Sequence, residues 1–225
     1  MGQNVIAIVV IGLFMLIPLW MGAVASKKSI PTTEDFFVQG RGMGSIAVFF
    51  TVAATWWSSF AFLGSNAYFY SKGPVYWTAI AWNILFGIMY FVIGKRIWFY
   101  GKENNYITAS DFFAHQYGSE FLANLVAIIM LLFTLPYLQI QLTGGAYLIE
   151  VASGVLIPWK IGGIIFYVVI IIYVWAGGLR AVAWTDIFYG ILLFFGMIFA
   201  GFYLAAKVGG VHDLFATLKE TAPES

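Results

Sequence analysis

Charged side chains are scarce in this sequence, and cysteine is missing altogether. Only 9% of the 225 residues are charged and 62% are hydrophobic, whereas an ordinary soluble domain carries about 25% charged residues. The 11 basic and 10 acidic residues leave a net charge of +1, which provides no basic surface for nucleic acid. The composition therefore excludes a soluble enzyme domain and a disordered chain, and it indicates a protein that lies in a lipid bilayer.

Several kinds of active site are also missing. Without cysteine there is no disulfide framework, thiolate metal site or cysteine nucleophile. No Gly-x4-Gly-Lys-Ser/Thr loop is present, so the chain does not bind ATP in the P-loop manner. The histidines His115 and His212 lie in different loops, with no metal-ligand spacing around them. We therefore expect neither an enzyme nor a bound cofactor, and only an ion gradient could drive the uphill movement of a solute.

Six long apolar stretches reach the length of about 20 residues that a membrane-spanning helix needs. They cover residues 5–25, 46–71, 74–94, 121–149, 161–179 and 181–206. The strict alternation of apolar and polar residues that a membrane β-strand shows is not seen in them. The sequence therefore predicts an all-α membrane protein with six transmembrane helices.

The positive charges favour one orientation of these helices. With the N-terminus outside, seven of the 11 basic residues lie in the cytoplasm, which agrees with the positive-inside rule. These seven are Lys27, Lys28, Arg41, Lys95, Arg96, Lys102 and Arg180. The N-terminus has no positive region and no small-residue cleavage site, so we expect a retained helix and not a removed signal peptide. We predict a bacterial inner-membrane protein with its N-terminus outside.

The middle of the second stretch is unusually polar. Thr51, Thr55, Ser58 and Ser59 lie close to two adjacent tryptophans. Hydroxyls and small residues can satisfy the backbone groups that are freed when a helix unwinds, and an unwound stretch presents carbonyls to a cation. The alternative is a continuous helix whose hydroxyls bond to its own carbonyls or pack against a neighbour.

The fourth stretch contains Pro136 and two glutamines. Proline removes a backbone hydrogen bond and kinks a helix, and glutamines in lipid must face protein or water. Tyr137 and Gln141 are four residues apart and therefore share one helical face. We interpret this face as a candidate wall for a solute. The alternative is a structural kink with interhelical hydrogen bonds.

Asp186 is the carboxylate that falls inside a predicted span. An acid within an apolar helix is unfavourable unless it is paired or bound to a cation. Asp186 is therefore a candidate group on an ion pathway. The alternative is an interfacial aspartate that pairs with Arg180.

Three segments of the sequence resemble the sodium:solute symporter family, whose members carry proline, sugars, sialic acid, pantothenate and monocarboxylates. These segments are Asp35–Arg41, Ala54–Ser58 and Gly177–Asp186. The third is the most specific, because a glycine pair, Ala-Val and Trp-Thr-Asp at this spacing are hard to obtain by accident. The resemblance is closest to the pantothenate and monocarboxylate branch. It implies a LeuT-like fold of two inverted five-helix repeats with an additional N-terminal helix.

On that template, each part of the chain has an expected place. Residues 1–25 would be a peripheral helix, residues 26–45 a cytoplasmic loop, and residues 46–206 the first five-helix repeat. Residues 207–225 would begin an extracytoplasmic loop, and because the second repeat is absent, the resemblance implies an incomplete chain. Within the loop 103–118, Thr108 and Asp111 form a capping-box pattern that predicts a short interfacial helix.

The resemblance also implies where an ion and a solute bind. In relatives, backbone carbonyls at a break in the first core helix coordinate sodium, and these positions are Ala54 and Trp57 here. The acid close to the ion path corresponds to Asp186. The solute contacts correspond to Ser58, Ser59, Tyr137 and Gln141. One departure is that relatives often carry glutamine three residues after the Thr-Asp pair, where this chain has Tyr189.

The function implied by the resemblance is secondary active transport. The chain would be the N-terminal portion of a transporter that couples inward sodium movement to uptake of a small organic solute. A monocarboxylate or pantothenate-like acid fits, and a neutral or zwitterionic solute such as proline or a sugar fits equally. Because no Lys or Arg lies inside the spans, an anion would be held by half-helix N–H dipoles and hydroxyls. The alternative is a symporter-like membrane sensor or assembly domain without transport.

Overall fold

The computed structural model of the protein describes residues 2–221, so that Met1 and residues 222–225, the end of the expected extracytoplasmic loop, lie outside the described residues. Within the described range the fold is all-helical. The long helices are α1 (Gly2–Ser26), α5 (Trp77–Glu103), α7 (Glu120–Ala152) and α8 (Trp159–Lys207). The short helices are α2 (Thr33–Val38), α3 (Ser45–Trp56), α4 (Ser65–Lys72), α6 (Ala109–Tyr117) and α9 (Val211–Thr221).

Four helical stretches are long and apolar enough to cross a membrane, and a bent pair of helices would make a fifth. The four are Asn4–Ser26, Phe60–Glu103, Glu120–Ala152 and Trp159–Lys207, and the pair is Thr33–Arg41 with Ser45–Trp56, bent by 112°. The last of the four has 49 residues. A straight helix of that length would measure about 74 Å, more than twice the roughly 30 Å of a bilayer's hydrocarbon core.

Gly178 interrupts this long helix. Its backbone angles, φ 54° and ψ −149°, lie in a region that is essentially restricted to glycine. A Cβ atom at this position would also lie 2.6 Å from the carbonyl oxygen of Phe36. The chain before and after Gly178 therefore forms two helical arms, residues 159–177 and residues 179–207.

The contacts with α1 show that the second arm turns back on the first. A Cβ on Gly154, just before α8, would touch Asn4 near the beginning of α1, and Gly177 lies against Ala25 near its end. After the turn, the hydroxyl of Tyr189 bonds to the carbonyl of Phe14 in the middle of α1. Along the chain from Gly154 to Tyr189, the contacts pass from the beginning of α1 to its end and then back to its middle. This order requires the two arms to form a helical hairpin. The two arms correspond to the fifth and sixth predicted spans.

A second reversal occurs at Gly73, between α4 and α5. This glycine has similar angles, φ 64° and ψ −146°. The ring of Phe69 before the turn contacts the ring of Trp77 after it, with centroids 6.1 Å apart. Further from the turn, the rings of Trp56 and Phe86 meet at 5.5 Å. Helix α5 therefore runs back along α4 and α3, as the second and third predicted spans require.

The segment between α5 and α7 contains the predicted short helix, α6. The Thr108 hydroxyl accepts the Asp111 N–H, and the Asp111 carboxylate accepts the backbone N–H groups of Thr108 and Ile107. The hydrogen bond that the carboxylate accepts from the Thr108 N–H lowers the pKa of Asp111, and the bond from the Ile107 N–H lowers it further. The capping-box prediction is confirmed.

Near the C-terminus, helix α9 forms within the segment that we expected to begin a polar loop.

Candidate ion and solute site

The candidate site is a break in the helical path between α3 and α4. Helix α3 ends at Trp56, and Trp57 has the non-helical angles φ −79° and ψ 65°. The path resumes as a π-helical turn, Phe60–Gly64, which leads into α4. The unwound interpretation of the polar segment therefore describes the structure, and the continuous-helix alternative does not.

The break changes how the local carbonyls are bonded. The Ser58 N–H donates to the carbonyl of Trp56 at 2.9 Å, whereas in a continuous helix it would donate to Ala54. The Thr55 carbonyl accepts the Tyr137 hydroxyl at 2.5 Å. Within residues 2–221, no donor reaches the carbonyls of Ala54 and Trp57. These are the two carbonyls on which the family resemblance places sodium.

The predicted polar face of α7 lies directly against this break. The Gln141 side-chain oxygen accepts the Ser59 N–H at 2.7 Å, and the Ser59 hydroxyl donates to the carbonyl of Ile140 at 3.0 Å. Gly144 permits this approach, because a Cβ there would lie 2.5 Å from the Cβ of Ser59. Tyr137 and Gln141 thus satisfy backbone groups on both sides of the break. These are the interhelical hydrogen bonds of the alternative interpretation, and a direct solute contact by either residue stays a prediction.

Asp186 lies on the second arm of α8, where it faces α3. The Thr51 hydroxyl faces the Asp186 carboxylate, yet Thr51 Oγ1 is buried without a hydrogen bond of ordinary geometry in the described structure. The two helices approach closely here, because a Cβ on Gly190 would lie 2.5 Å from the ring of Phe50. Asp186 therefore packs against α3 at Thr51, which lies about one helical turn before Ala54.

Arg180 pairs with a residue other than the one considered from the sequence. Its Nη2 lies 2.7 Å from Oδ1 of Asp35, whose side chain is 5% exposed. The second oxygen of Asp35 accepts the Ile30 N–H at 2.8 Å. The alternative interpretation, in which Asp186 pairs with Arg180, is therefore wrong. No local pattern could reveal the true pair, because its members are 145 residues apart.

A groove of about 540 Å³ lies between the break and α5. This volume falls in the range of sites that hold small molecules, about 300–1,000 Å³. The groove is lined by Val52, Trp56, Trp57, Ala61, Asn83, Phe86, Gly87 and Tyr90. Asn83 is a polar lining residue that sequence reasoning missed. The available signal was an amide in the middle of the third apolar stretch, since such a group must find a polar partner.

The long apolar helices define an integral membrane protein, and one helical path in it is broken at Trp57. The sequence profile of the sodium:solute symporter family matches residues 36–225. The chain therefore belongs to the sodium:solute symporter family.

Curated relatives agree with this assignment. The chain is 30% identical to the uncharacterized symporter YhjB of Bacillus subtilis, across 98% of this chain and 45% of the relative. It is 27% identical to the sodium/pantothenate symporter of Escherichia coli, across 88% and 41%. It is also 27% identical to the monocarboxylate transport permease protein of Rhizobium johnstonii, across 95% and 44%. The chain thus spans less than half the length of these relatives. No solved structure matches it.

Proposed function

We propose that this chain is the N-terminal portion of a secondary active transporter that couples inward sodium movement to uptake of a small organic solute. The observation that carries the proposal is the break after α3, where two carbonyls have no donor among the described residues. Unwound carbonyls of this kind coordinate alkali cations in transporters that have broken helices. The family membership supports the same conclusion.

In the proposed ion site, the carbonyl oxygens of Ala54 and Trp57 bind sodium, and Asp186 contributes negative charge from the second arm of α8. The buried hydroxyl of Thr51 faces Asp186, three residues before Ala54 on α3, and has no hydrogen bond of ordinary geometry in the described structure. It can therefore direct an oxygen lone pair toward a cation as the cation enters or leaves. The donor set contains only oxygen atoms, which are the ligands that hard cations prefer.

In the proposed solute site, the solute lies in the groove beside the break. Asn83 provides an amide on one wall of the groove, and Trp57, on the other wall, is followed by Ser58, whose hydroxyl we propose as a solute contact. The N–H and the hydroxyl of Ser59 bond to α7, so a solute contact by Ser59 requires these bonds to exchange. Tyr137 and Gln141 influence solute binding because their hydrogen bonds hold the backbone of the break beside the groove. A small organic acid is the class that we favour, because relatives include a pantothenate symporter and a monocarboxylate permease.

The proposed arrangement in the membrane has six spans and the N-terminus outside. The helical turns at Gly73 and Gly178 support this number, since each divides one long helical stretch into two antiparallel arms. Helix α1 would then be peripheral, and the following five spans would form the first repeat of a LeuT-like fold. We place the protein in the inner membrane of a bacterium, where a sodium gradient is available.

The function is tested by uptake into proteoliposomes that contain the full-length protein. Radiolabelled short carboxylates, pantothenate, proline and sugars are supplied with an inward sodium gradient, with an equal potassium gradient, and with a proton gradient alone. We expect at least one acid to accumulate only when the sodium gradient is present. If no solute in the panel accumulates with sodium, the proposed function is wrong.

A matched pair of variants tests the ion site separately. Asp186→Asn keeps the size of the side chain and removes its charge, so we expect the sodium concentration for half-maximal uptake to rise severalfold. Gly196→Ala lies on the same arm of α8, and beyond its own helix backbone and chain neighbours no atom of the described residues lies within 4 Å of the added methyl group. We expect this variant to leave the concentration unchanged. An unchanged sodium dependence in Asp186→Asn would remove Asp186 from the ion path.

A further inference from the structure

Helix α1 contains a proline that leaves one of its own carbonyls without a helical donor. In an α-helix the carbonyl of residue 14 accepts the N–H of residue 18, and here residue 18 is proline, which has no N–H. An unpaired carbonyl inside a membrane is strongly unfavourable, because neither lipid nor water can replace the missing donor. The carbonyl of Phe14 therefore needs a donor from another part of the protein.

Tyr189 supplies that donor. Its hydroxyl donates to the carbonyl of Phe14, and its ring packs near the Phe14 ring with centroids 6.3 Å apart. Pro18 and Tyr189 are thus complementary, since Pro18 leaves the Phe14 carbonyl without a helical donor and Tyr189 donates a hydrogen bond to it.

The place of Tyr189 in α8 connects this hydrogen bond to the candidate ion site. Asp186 lies three residues earlier, almost one helical turn away, and faces Thr51 of α3. Gly190, the next residue after Tyr189, packs against Phe50, which is the neighbour of Thr51. The same turn of α8 is therefore held by α1 on one side and by α3 on the other.

We infer that Tyr189 is a positioning residue, which holds Asp186 against α3 through the Phe14 carbonyl that Pro18 leaves free. The peripheral helix α1 then takes part in setting the affinity for the cation, although it contributes no ligand to the site. This inference rests on the proposed function where it concerns sodium, while the pairing of Tyr189 with Pro18 does not depend on that function.

The test is a double-mutant cycle in the full-length protein, with Tyr189→Phe, Pro18→Ala and the two combined. Tyr189→Phe keeps the ring and removes the donor. Pro18→Ala restores an N–H that can bond to the Phe14 carbonyl within α1. We therefore expect Tyr189→Phe alone to raise the sodium concentration for half-maximal uptake severalfold, up to the about fivefold that one hydrogen bond is worth when it forms fully only with the ion bound. In the Pro18→Ala background the same substitution should change it less than about twofold.

Two readouts separate the possible results. The melting temperature of the four proteins in detergent without sodium reports the pairing, and a smaller loss from Tyr189→Phe in the Pro18→Ala background supports it. Equal losses in the two backgrounds overturn the pairing. A coupled melting temperature with unchanged sodium dependence overturns the positioning role and leaves only a structural bond. A wild-type protein that lacks sodium-dependent uptake refutes the proposed function, and with it the role in ion binding, whereas the melting temperatures still decide the pairing.

Tyr167→Phe is the matched control. Tyr167 lies on the first arm of α8, its side chain is 49% exposed, and its hydroxyl has no hydrogen-bond partner in the described part of the chain. This variant should leave both the melting temperature and the sodium dependence unchanged in either background. If it reproduces the effect of Tyr189→Phe, the loss of any tyrosine hydroxyl from α8 is sufficient and the inference is wrong.

Discussion

At the scale of single residues, the candidate site depends on side chains that replace backbone hydrogen bonds. A broken helix leaves N–H and C=O groups without their partners, and in a membrane these groups must be bonded by other parts of the protein. Tyr137 and Gln141 do this at the break, and Tyr189 does it at Pro18. Each of these polar side chains therefore preserves an irregular backbone that the apolar surroundings would otherwise disfavour.

Removal of the Tyr137 hydroxyl should destabilise the protein even when no solute is present. Tyr137→Phe leaves the Thr55 carbonyl without its donor, and the loss of such a bond is worth about 1 kcal/mol. For a protein of this size we expect the melting temperature in detergent to fall by roughly 2–4 °C. Tyr167→Phe is again the control. An unchanged melting temperature combined with a weaker apparent affinity for solute would show that the hydroxyl serves the solute and not the backbone.

Part of this site could be predicted from the sequence. The residue types around Ala54 and Trp57 indicated an unwound segment, and the four-residue spacing placed Tyr137 and Gln141 on one face. The family resemblance placed this face and the break at one solute site, but no local pattern could show that Gln141 bonds directly to Ser59, because these residues are 82 positions apart. The pairs Asp35–Arg180 and Phe14–Tyr189 were out of reach for the same reason, since they are set by tertiary packing without any local pattern.

At the scale of helices, α8 is fixed at its turn by contacts with α2. Gly178 packs against the backbone of Phe36, and Arg180 bonds to Asp35 in the same short helix. The sequence analysis divided this region into the stretches 161–179 and 181–206, on either side of Arg180. It did not show that a turn at Gly178 separates them, because the positive φ of this residue is not evident in a sequence with 24 glycines.

The buried ion pair between α2 and α8 should be sensitive to the loss of either member. Arg180→Met leaves the carboxylate of Asp35 buried without its cation, which costs about 3 kcal/mol and corresponds to roughly 6–12 °C in melting temperature. Addition of Asp35→Asn removes the unpaired charge, so the double variant should recover part of this loss. Glu34→Gln breaks a more exposed pair with Arg41 and should change the melting temperature by less than about 4 °C. If the melting temperature of the double variant falls by the sum of the decreases in the two single variants, the ion-pair explanation is wrong.

The turn at Gly178 should not tolerate a side chain. Gly178→Ala would place a methyl group 2.6 Å from the Phe36 carbonyl and would force a positive φ on alanine. We expect a large loss of correctly folded protein, measured as the monodisperse fraction in size-exclusion chromatography. Gly196→Ala, on the second arm of the same helix, should behave like the wild type, because its Cβ meets no atom of another described element within 4 Å. Equal yields of the two variants would contradict the strained turn.

At the scale of the whole molecule, the two hairpin turns decide how the chain is arranged across the membrane. Helix α1 lies along both arms of α8, and α5 runs back along α3 and α4. If each arm crosses the bilayer once, the loops before and after α8 must emerge on the same side. With the N-terminus outside, as the distribution of basic residues favours, that side is the exterior.

Single cysteines can test this arrangement directly, because the chain has no cysteine of its own. We expect Leu156→Cys and Val208→Cys, whose parent side chains are 71% and 50% exposed, to react with a membrane-impermeant maleimide in intact cells. Asn105→Cys, in the loop before α6, should react only after the cells are permeabilised. If α8 crossed the membrane as one continuous helix, residues 156 and 208 would lie on opposite sides, and only one of them would be labelled. If only Asn105→Cys is labelled in intact cells, both ends of α8 face the cytoplasm. This result would agree with the hairpin and would show that the orientation is the reverse of the predicted one. The parent protein without cysteine provides the background, and the combined pattern separates the number of crossings from their direction.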